Sequence, residues 1–412
     1  MWDAPCRADP GQKPDLPRVA VTAGVESDRN EHLDFVDGAR GLAALVVAVG
    51  HMINISPYFS APYGAAFRLV SSRQLLFWPF RHGSEMVGLF LLVSGFSLAH
   101  AEIGRRARGG VASRLGLFAA RRAWRIGPVY YSALALGLVL VNLPFGLRDL
   151  PGEFSASFPI TWQGTGAHIA LVQNLRPSEW ALQGNGPLWT IAYEGQLYLL
   201  FPILLWMIIR LQARMRWVFL SAGIVAASFL PSEGAFLAQA FLLGIALAVN
   251  MQTIRRVRTS ILVIIGLLLL SIGVLDLRTV LLHPPMYTII WLGGFAALLV
   301  ASMRSPSSRK NPLNASILRW LGVRSYSLYA FHFPLVYVVF AAGTDVGLRG
   351  GALAIATLTV GLPLSIAAAA LGFRWVERPS LRRARRSGGG RRRAAGITET
   401  TVARQQNLPR TT

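Results

Sequence analysis

The chain has 412 residues, 53% of them hydrophobic and only 15% charged, with a formal net charge of +22. A soluble domain of this size would hold roughly 25% charged residues. Here the apolar residues fall in runs of about 16 to 24, long enough to cross a bilayer as helices, which excludes an ordinary soluble enzyme. The runs do not alternate, which excludes a β-barrel. The expected fold class is therefore all-α, a polytopic membrane protein.

In chain order, a polar leader comes first. Its Cys6 is the single cysteine of the chain, so neither a disulfide framework nor a cysteine-based metal site is expected. The leader lacks the basic-then-apolar layout of a cleavable signal peptide, and the first apolar segment is expected to serve as targeting signal and permanent span together. Ten candidate spans follow, near 38–56, 84–101, 126–146, 191–210, 216–232, 235–250, 259–275, 286–303, 324–343 and 350–373. Short joins make antiparallel neighbours of 216–232 with 235–250 and of 324–343 with 350–373. The run Ala167–Val172 is too short to span and is expected to lie in a loop or to re-enter. The expected division is a disordered cytoplasmic leader (1–35), a membrane domain (36–378) and a disordered basic tail (379–412). No internal repeat is visible.

Orientation follows from the basic residues between spans. With the N-terminus inside, 34 of the 41 Lys and Arg residues fall on the inner side. Both termini are therefore expected in the cytoplasm, with the chain in the plasma membrane. The same placement accounts for the net charge. Basic residues at inner membrane edges meet anionic lipid headgroups, so membrane lipids rather than nucleic acid are the expected partner. The longest outer segments, about 57–83 and 147–190, are where function is expected to concentrate outside the spans.

Ionisable groups inside a span are expensive and are functional candidates by default. The first span carries Arg40 and His51. Eleven positions return to within about 20° of one helical stripe, which puts the two on one face roughly 16 Å apart. An imidazole there suits general base catalysis of acyl transfer; a histidine satisfied by a neighbouring helix fits equally well. Glu194 enters from the outside, with Tyr198 one turn on over the same face. Its depth is expected to match that of His51, which a carboxylate would orient. Ser94, in Ser94-Gly95-Phe96, belongs to a small-residue stretch of the kind that packs helices closely. Ser325, Tyr326 and His332 lie in a run ending at Pro334, a polar cluster in what reads as a broken helix. Arg122 and Arg125, in the inner loop before the third span, share a face and suit a bidentate grip on a phosphate, although positive-inside bias alone explains basic residues there. No glycine-rich phosphate loop, zinc-ligand spacing or Gly-x-Ser-x-Gly elbow occurs, so no metal is expected.

Taken together these motifs resemble the acyltransferase-three family of membrane O-acyltransferases. The matching elements are Arg40 to His51, Phe90 through Ser94-Gly95-Phe96, Arg122-x-x-Arg125 with Pro128 and Tyr130, Leu188-Trp189 through Glu194 to Tyr198 and Pro202, Ser325-Tyr326-Ser327-Leu328-Tyr329 to His332 and Pro334, and Glu377-Arg378-Pro379. They cover about residues 34–379. The resemblance implies transfer of an acyl group, most simply acetyl, from acyl-coenzyme A to a hydroxyl of a polysaccharide, glycolipid or other glycosylated acceptor. It implies that His51 acts as base or acyl carrier with Glu194 as partner, that Arg40 is required, and that Arg122 and Arg125 engage the donor. One departure stands out. Where many members carry Asp, Glu or Gln, this chain has Gly88, and Glu85, three positions earlier, is the candidate replacement. A transporter or flippase of a glycolipid or polar solute is the alternative from another class, though the inverted repeats common in transporters are not visible.

Overall fold

The computed structural model describes residues 34–55, 58, 59, 71–107, 115–140, 142, 160–176, 180, 183–230, 232–254, 257–275, 284–304 and 311–386. Cys6, most of the leader and the tail from 387 onward lie outside the described residues, as do large parts of both long outer segments. No strand occurs among the described residues.

Every predicted span is a helix: α1 (Asp34–Asn54), α2 (Gly83–Ala107), α3 (Leu115–Leu140), α4 (Leu188–Arg210), α5 (Ala213–Ala227), α6 (Ser232–Val249), α7 (Thr259–Val274), α8 (Pro284–Met303), α9 (Ser325–Asp345) and α10 (Gly350–Gly372). Among the described residues seven helices are long and apolar enough to cross a membrane; of the ten, α5, α6 and α7 fall short of that standard. Helix α3 begins at Leu115, so Arg122 and Arg125 stand on a helix rather than in a loop. The last helix passes through a π-helical turn at Phe373–Glu377 and runs on to Arg386. Residues 379–386, expected to be disordered, are therefore helical.

The predicted hairpins α5/α6 and α9/α10 both pack as antiparallel neighbours, as do α7 and α8. Helix α2 lies along α6 with no room for side chains between them. A Cβ at Gly95 would sit 2.2 Å from the Phe241 carbonyl oxygen, and one at Gly244 would sit 2.1 Å from that of Leu92. Small residues let the two backbones touch where the lipid itself gives little reason for helices to associate. This is the work of Gly95 in the Ser94-Gly95-Phe96 stretch.

Helix α9 is continuous through Pro334, not broken. Proline has no N–H, so the carbonyl of Ala330 loses its intrahelical donor. Asn185, fully buried in the segment before α4, donates Nδ2–H to it at 3.0 Å. The same device recurs at Pro128 in α3. There the freed carbonyl of Trp124 accepts from the Ser380 hydroxyl on the extension of the last helix.

The run Ala167–Val172 begins inside a short helix, Trp162–Ile169, that turns inward. His168 and Gln173 are fully buried. Tyr130 Oη donates to the His168 carbonyl at 2.9 Å and accepts from Gln173 Nε2 at 3.0 Å. His168, Gln173 and Asn185 thus anchor the described part of this segment among the helices, and α4 starts from inside that packing.

Candidate active site

At the end of the bundle where α1, α3 and α9 begin and the last helix ends, a cavity of about 480 Å³ opens among the helices. Arg40, Ser94, Arg125, Glu194, Ser325 and Tyr326 all line it, so six of the residues singled out from sequence converge on one space. Helix α1 places Arg40 there by passing against the short helix Ser316–Val323 at backbone distance. A Cβ on Gly41 would lie 2.0 Å from the Leu318 carbonyl oxygen.

The centre of this cavity is Glu194. Its carboxylate accepts from Ser94 Oγ at 3.3 Å and from the Tyr198 hydroxyl one turn along α4. Its charge acts on Arg40, Arg122 and Arg125 together. Glu194 therefore shares the level of Arg40, not that of His51 as expected, because α4 begins deep in the inward-folded segment rather than at the outer surface. Tyr326 Oη donates to the Ile126 carbonyl at 2.9 Å, tying α9 to α3 beside Arg125.

Arg122 and Arg125 do not act as a matched fork. Arg125 lines the cavity, while Arg122 lies over the rings of Tyr198 (5.4 Å) and Phe118 (5.5 Å). Its Nε has no hydrogen-bond partner among the described residues. Arg122 thus holds the hydroxyl-bearing ring that bonds Glu194, a cation–π contact.

His51 lies elsewhere. Its ring packs against that of His332, with centroids 5.2 Å apart, and edge-on against Phe333 at 5.0 Å. Neither histidine lines the cavity. Tyr329, which does, has its ring 5.9 Å from His332 and is held by Thr190 Oγ1 at 2.7 Å and the Pro187 carbonyl at 3.0 Å. The partner of His51 is thus a second imidazole rather than Glu194. His332 is fully buried, and its Nδ1 is 2.8 Å from the Tyr329 carbonyl and 3.1 Å from that of Leu328. Carbonyls only accept, so Nδ1 carries the proton and Nε2 keeps a lone pair. That Nε2 has no hydrogen-bond partner among the described residues.

Glu85 does not stand in for the missing acid at position 88. It accepts from the Tyr287 hydroxyl and from Ser84 Oγ at 2.9 Å, and lies 3.8 Å from His82, away from the cavity lining. Gly88 has a packing role instead: a Cβ there would come within 2.3 Å of the Phe236 ring.

Glu377 is a residue that reading by depth alone passes over. It lines the cavity, is buried, and accepts from Ser327 Oγ at 2.6 Å. The sequence signal was a carboxylate directly after an apolar run, in Glu377-Arg378-Pro379.

A family model described as an acyltransferase domain matches residues 33–374. Acyltransferase MdmB of Streptomyces mycarofaciens is 27% identical over 390 residues, 85% of this chain and 92% of that protein. No solved structure gives a significant match. The match covers α1 to α10 and both histidines, and stops before Glu377 and the extension that lines one side of the cavity: the chain belongs to the acyltransferase-three family and is a membrane acyltransferase.

Proposed function

We propose that this acyltransferase moves an acyl group, most simply acetyl, from acyl-coenzyme A to a hydroxyl of a carbohydrate or glycosylated acceptor. The observation that carries the reading is the pairing of two unlike places along α1. An arginine-lined cavity lies at the basic end, and beyond it His51 packs against His332, whose Nε2 has no hydrogen-bond partner among the described residues.

The cavity suits the phosphates of the donor. Arg40 and Arg125 favour an anion, and Glu194 and Glu377 keep the guanidinium groups compensated before it arrives. From Arg40 to His51 is about 16 Å along the helix, close to the length of an extended pantetheine arm, so a donor gripped at one end presents its thioester near the other. Tyr329 stands at the junction of the two places and is the residue such an arm would pass.

At the histidine pair the acceptor hydroxyl gives up its proton as its oxygen attacks the thioester carbon, and the thiolate that leaves takes that proton back. His51 is the general base in this reading. His332, its tautomer fixed by two backbone carbonyls, orients it and stabilises the imidazolium, the role a carboxylate fills in other acyl-transfer sites. In the orientation given by the basic residues, both termini are cytoplasmic, the donor enters from the cytoplasm, and the acceptor is met toward the outer face.

The test is the ester-linked acyl content of cell-envelope glycans and secreted glycosides, measured by mass spectrometry. Three strains are compared, one lacking the gene and two carrying wild type or His51→Ala at equal membrane levels. The expected result is an ester present only with wild type. An ester that persists with His51→Ala removes the assigned base, and an ester pattern identical in all three removes the glycoside acceptor.

A further inference from the structure

The cavity's charge is not balanced. Five arginines line it, Arg40, Arg125, Arg378, Arg382 and Arg385, against three acids, Asp37, Glu194 and Glu377. Two of the acids are already engaged, Glu194 with Tyr198 and Ser94 and Glu377 with Ser327. Arg378, Arg382 and Arg385 have no salt bridge among the described residues, and all three are exposed at the rim.

These three come from the extension beyond the π-helical turn, a stretch that composition alone assigns to lipid contact. Spacings of four and three put them on one helical stripe, with neighbouring Cβ atoms roughly 5–6 Å apart. The stripe is held toward the cavity from behind. Ser380 donates to the Trp124 carbonyl that Pro128 leaves free, and Ala384 is buried beside it. Arg383, also exposed, instead lies over the Trp124 ring at 5.4 Å and does not line the cavity. Of the five arginines from 378 to 386, the helix thus turns three to the cavity and leaves Arg383 and Arg386 out of its lining. A cation wanted only for topology or for headgroups would need no such sorting.

We propose that Arg378, Arg382 and Arg385 are the receptor for the phosphate groups of a phosphorylated nucleotide donor, with Arg125 completing the site deeper in. This rests on the acyl-coenzyme A reading above and names where the nucleotide end of that donor sits. Guanidinium groups match phosphate oxygens in bidentate pairs, and three in a row suit a ligand with several phosphates better than a single carboxylate.

The experiment uses the full-length protein in nanodiscs of neutral lipid and of anionic lipid, with coenzyme A binding measured by calorimetry. Wild type, Arg382→Gln, Arg385→Gln and Arg383→Gln are compared, and 3′-dephospho-coenzyme A and pantetheine serve as truncated probes. The expected result is a Kd for coenzyme A raised about tenfold or more by Arg382→Gln and by Arg385→Gln in both lipids. Arg383→Gln, which removes the same charge, leaves it unchanged, and the variants lose their disadvantage when the probe is pantetheine. Equal effects of Arg382→Gln and Arg383→Gln would overturn the site, as would an effect confined to anionic discs, which marks lipid headgroups as the ligand. Wild type that binds no coenzyme A in either disc overturns the donor reading itself, a result distinct from binding that the variants leave intact.

Discussion

The cavity and the histidine pair are built from opposite materials. The cavity is charged, its arginines answered by carboxylates whose own bonds are made by Ser94, Tyr198 and Ser327. The histidine pair is aromatic, with Phe333 against one ring and backbone carbonyls holding the other. Binding a polyanion needs many weakly screened charges, whereas proton transfer needs one basic nitrogen whose partners do not compete for its lone pair. Separating the two along one helix lets each environment be tuned without spoiling the other. Substitutions at the two places should therefore split cleanly between turnover and donor affinity.

The largest effect expected lies at the histidine end. His332→Ala should lower turnover by about a hundredfold, roughly 2.7 kcal/mol in the barrier, with the KM for acyl-coenzyme A within about twofold of wild type. His332→Asn, which keeps a donor toward the carbonyls, should recover part of the loss. A raised donor KM with intact turnover would dissolve the division between the two places.

A smaller effect tests how the histidine end is held. Asn185→Ala leaves the Ala330 carbonyl buried and unsatisfied and should cost about 1–3 kcal/mol of stability, read as earlier thermal unfolding in detergent. Adding Pro334→Ala restores an N–H to that carbonyl and should return part of it. If the double variant unfolds no later than Asn185→Ala alone, the bond from Asn185 is not what satisfies α9.

The smallest effect belongs to the cavity. Tyr198→Phe removes one of the two hydroxyls on Glu194 and should cost about 1–2 kcal/mol, with donor KM rising a fewfold and turnover nearly kept. A turnover loss as large as that of His332→Ala would mean that Glu194 takes part in the chemistry after all.

The division was only partly legible in the sequence. The ten long helices, the stripe joining Arg40 to His51, the shared face of Tyr198 and Glu194 and the packing role of Gly95 follow from periodicity and residue size. Glu194 was misplaced because its depth was reckoned from where α4 would meet the membrane surface, and nothing local signals that His168, Gln173 and Asn185 are buried among the helices. The same failing assigned it to His51, whose neighbour is set by the crossing of α1 over α9. Gly88 reads as a missing acid in one dimension; the ring of Phe236, 148 residues away, makes it a packing position.

What the sequence determined by itself is therefore what short-range physics controls: apolar length makes spanning helices, basic residues mark one end, and three- or four-residue spacing puts side chains on a shared face. Prolines inside the helices, Pro128 and Pro334 among them, also leave carbonyls without an intrahelical donor. Only the tertiary structure decided which donors, Ser380 and Asn185. With them it decided that the basic run after the last span turns Arg378, Arg382 and Arg385 toward the cavity and Arg383 away from it. A freed backbone carbonyl in an apolar interior must be satisfied but does not specify its partner, and that choice belongs to the packing of distant segments.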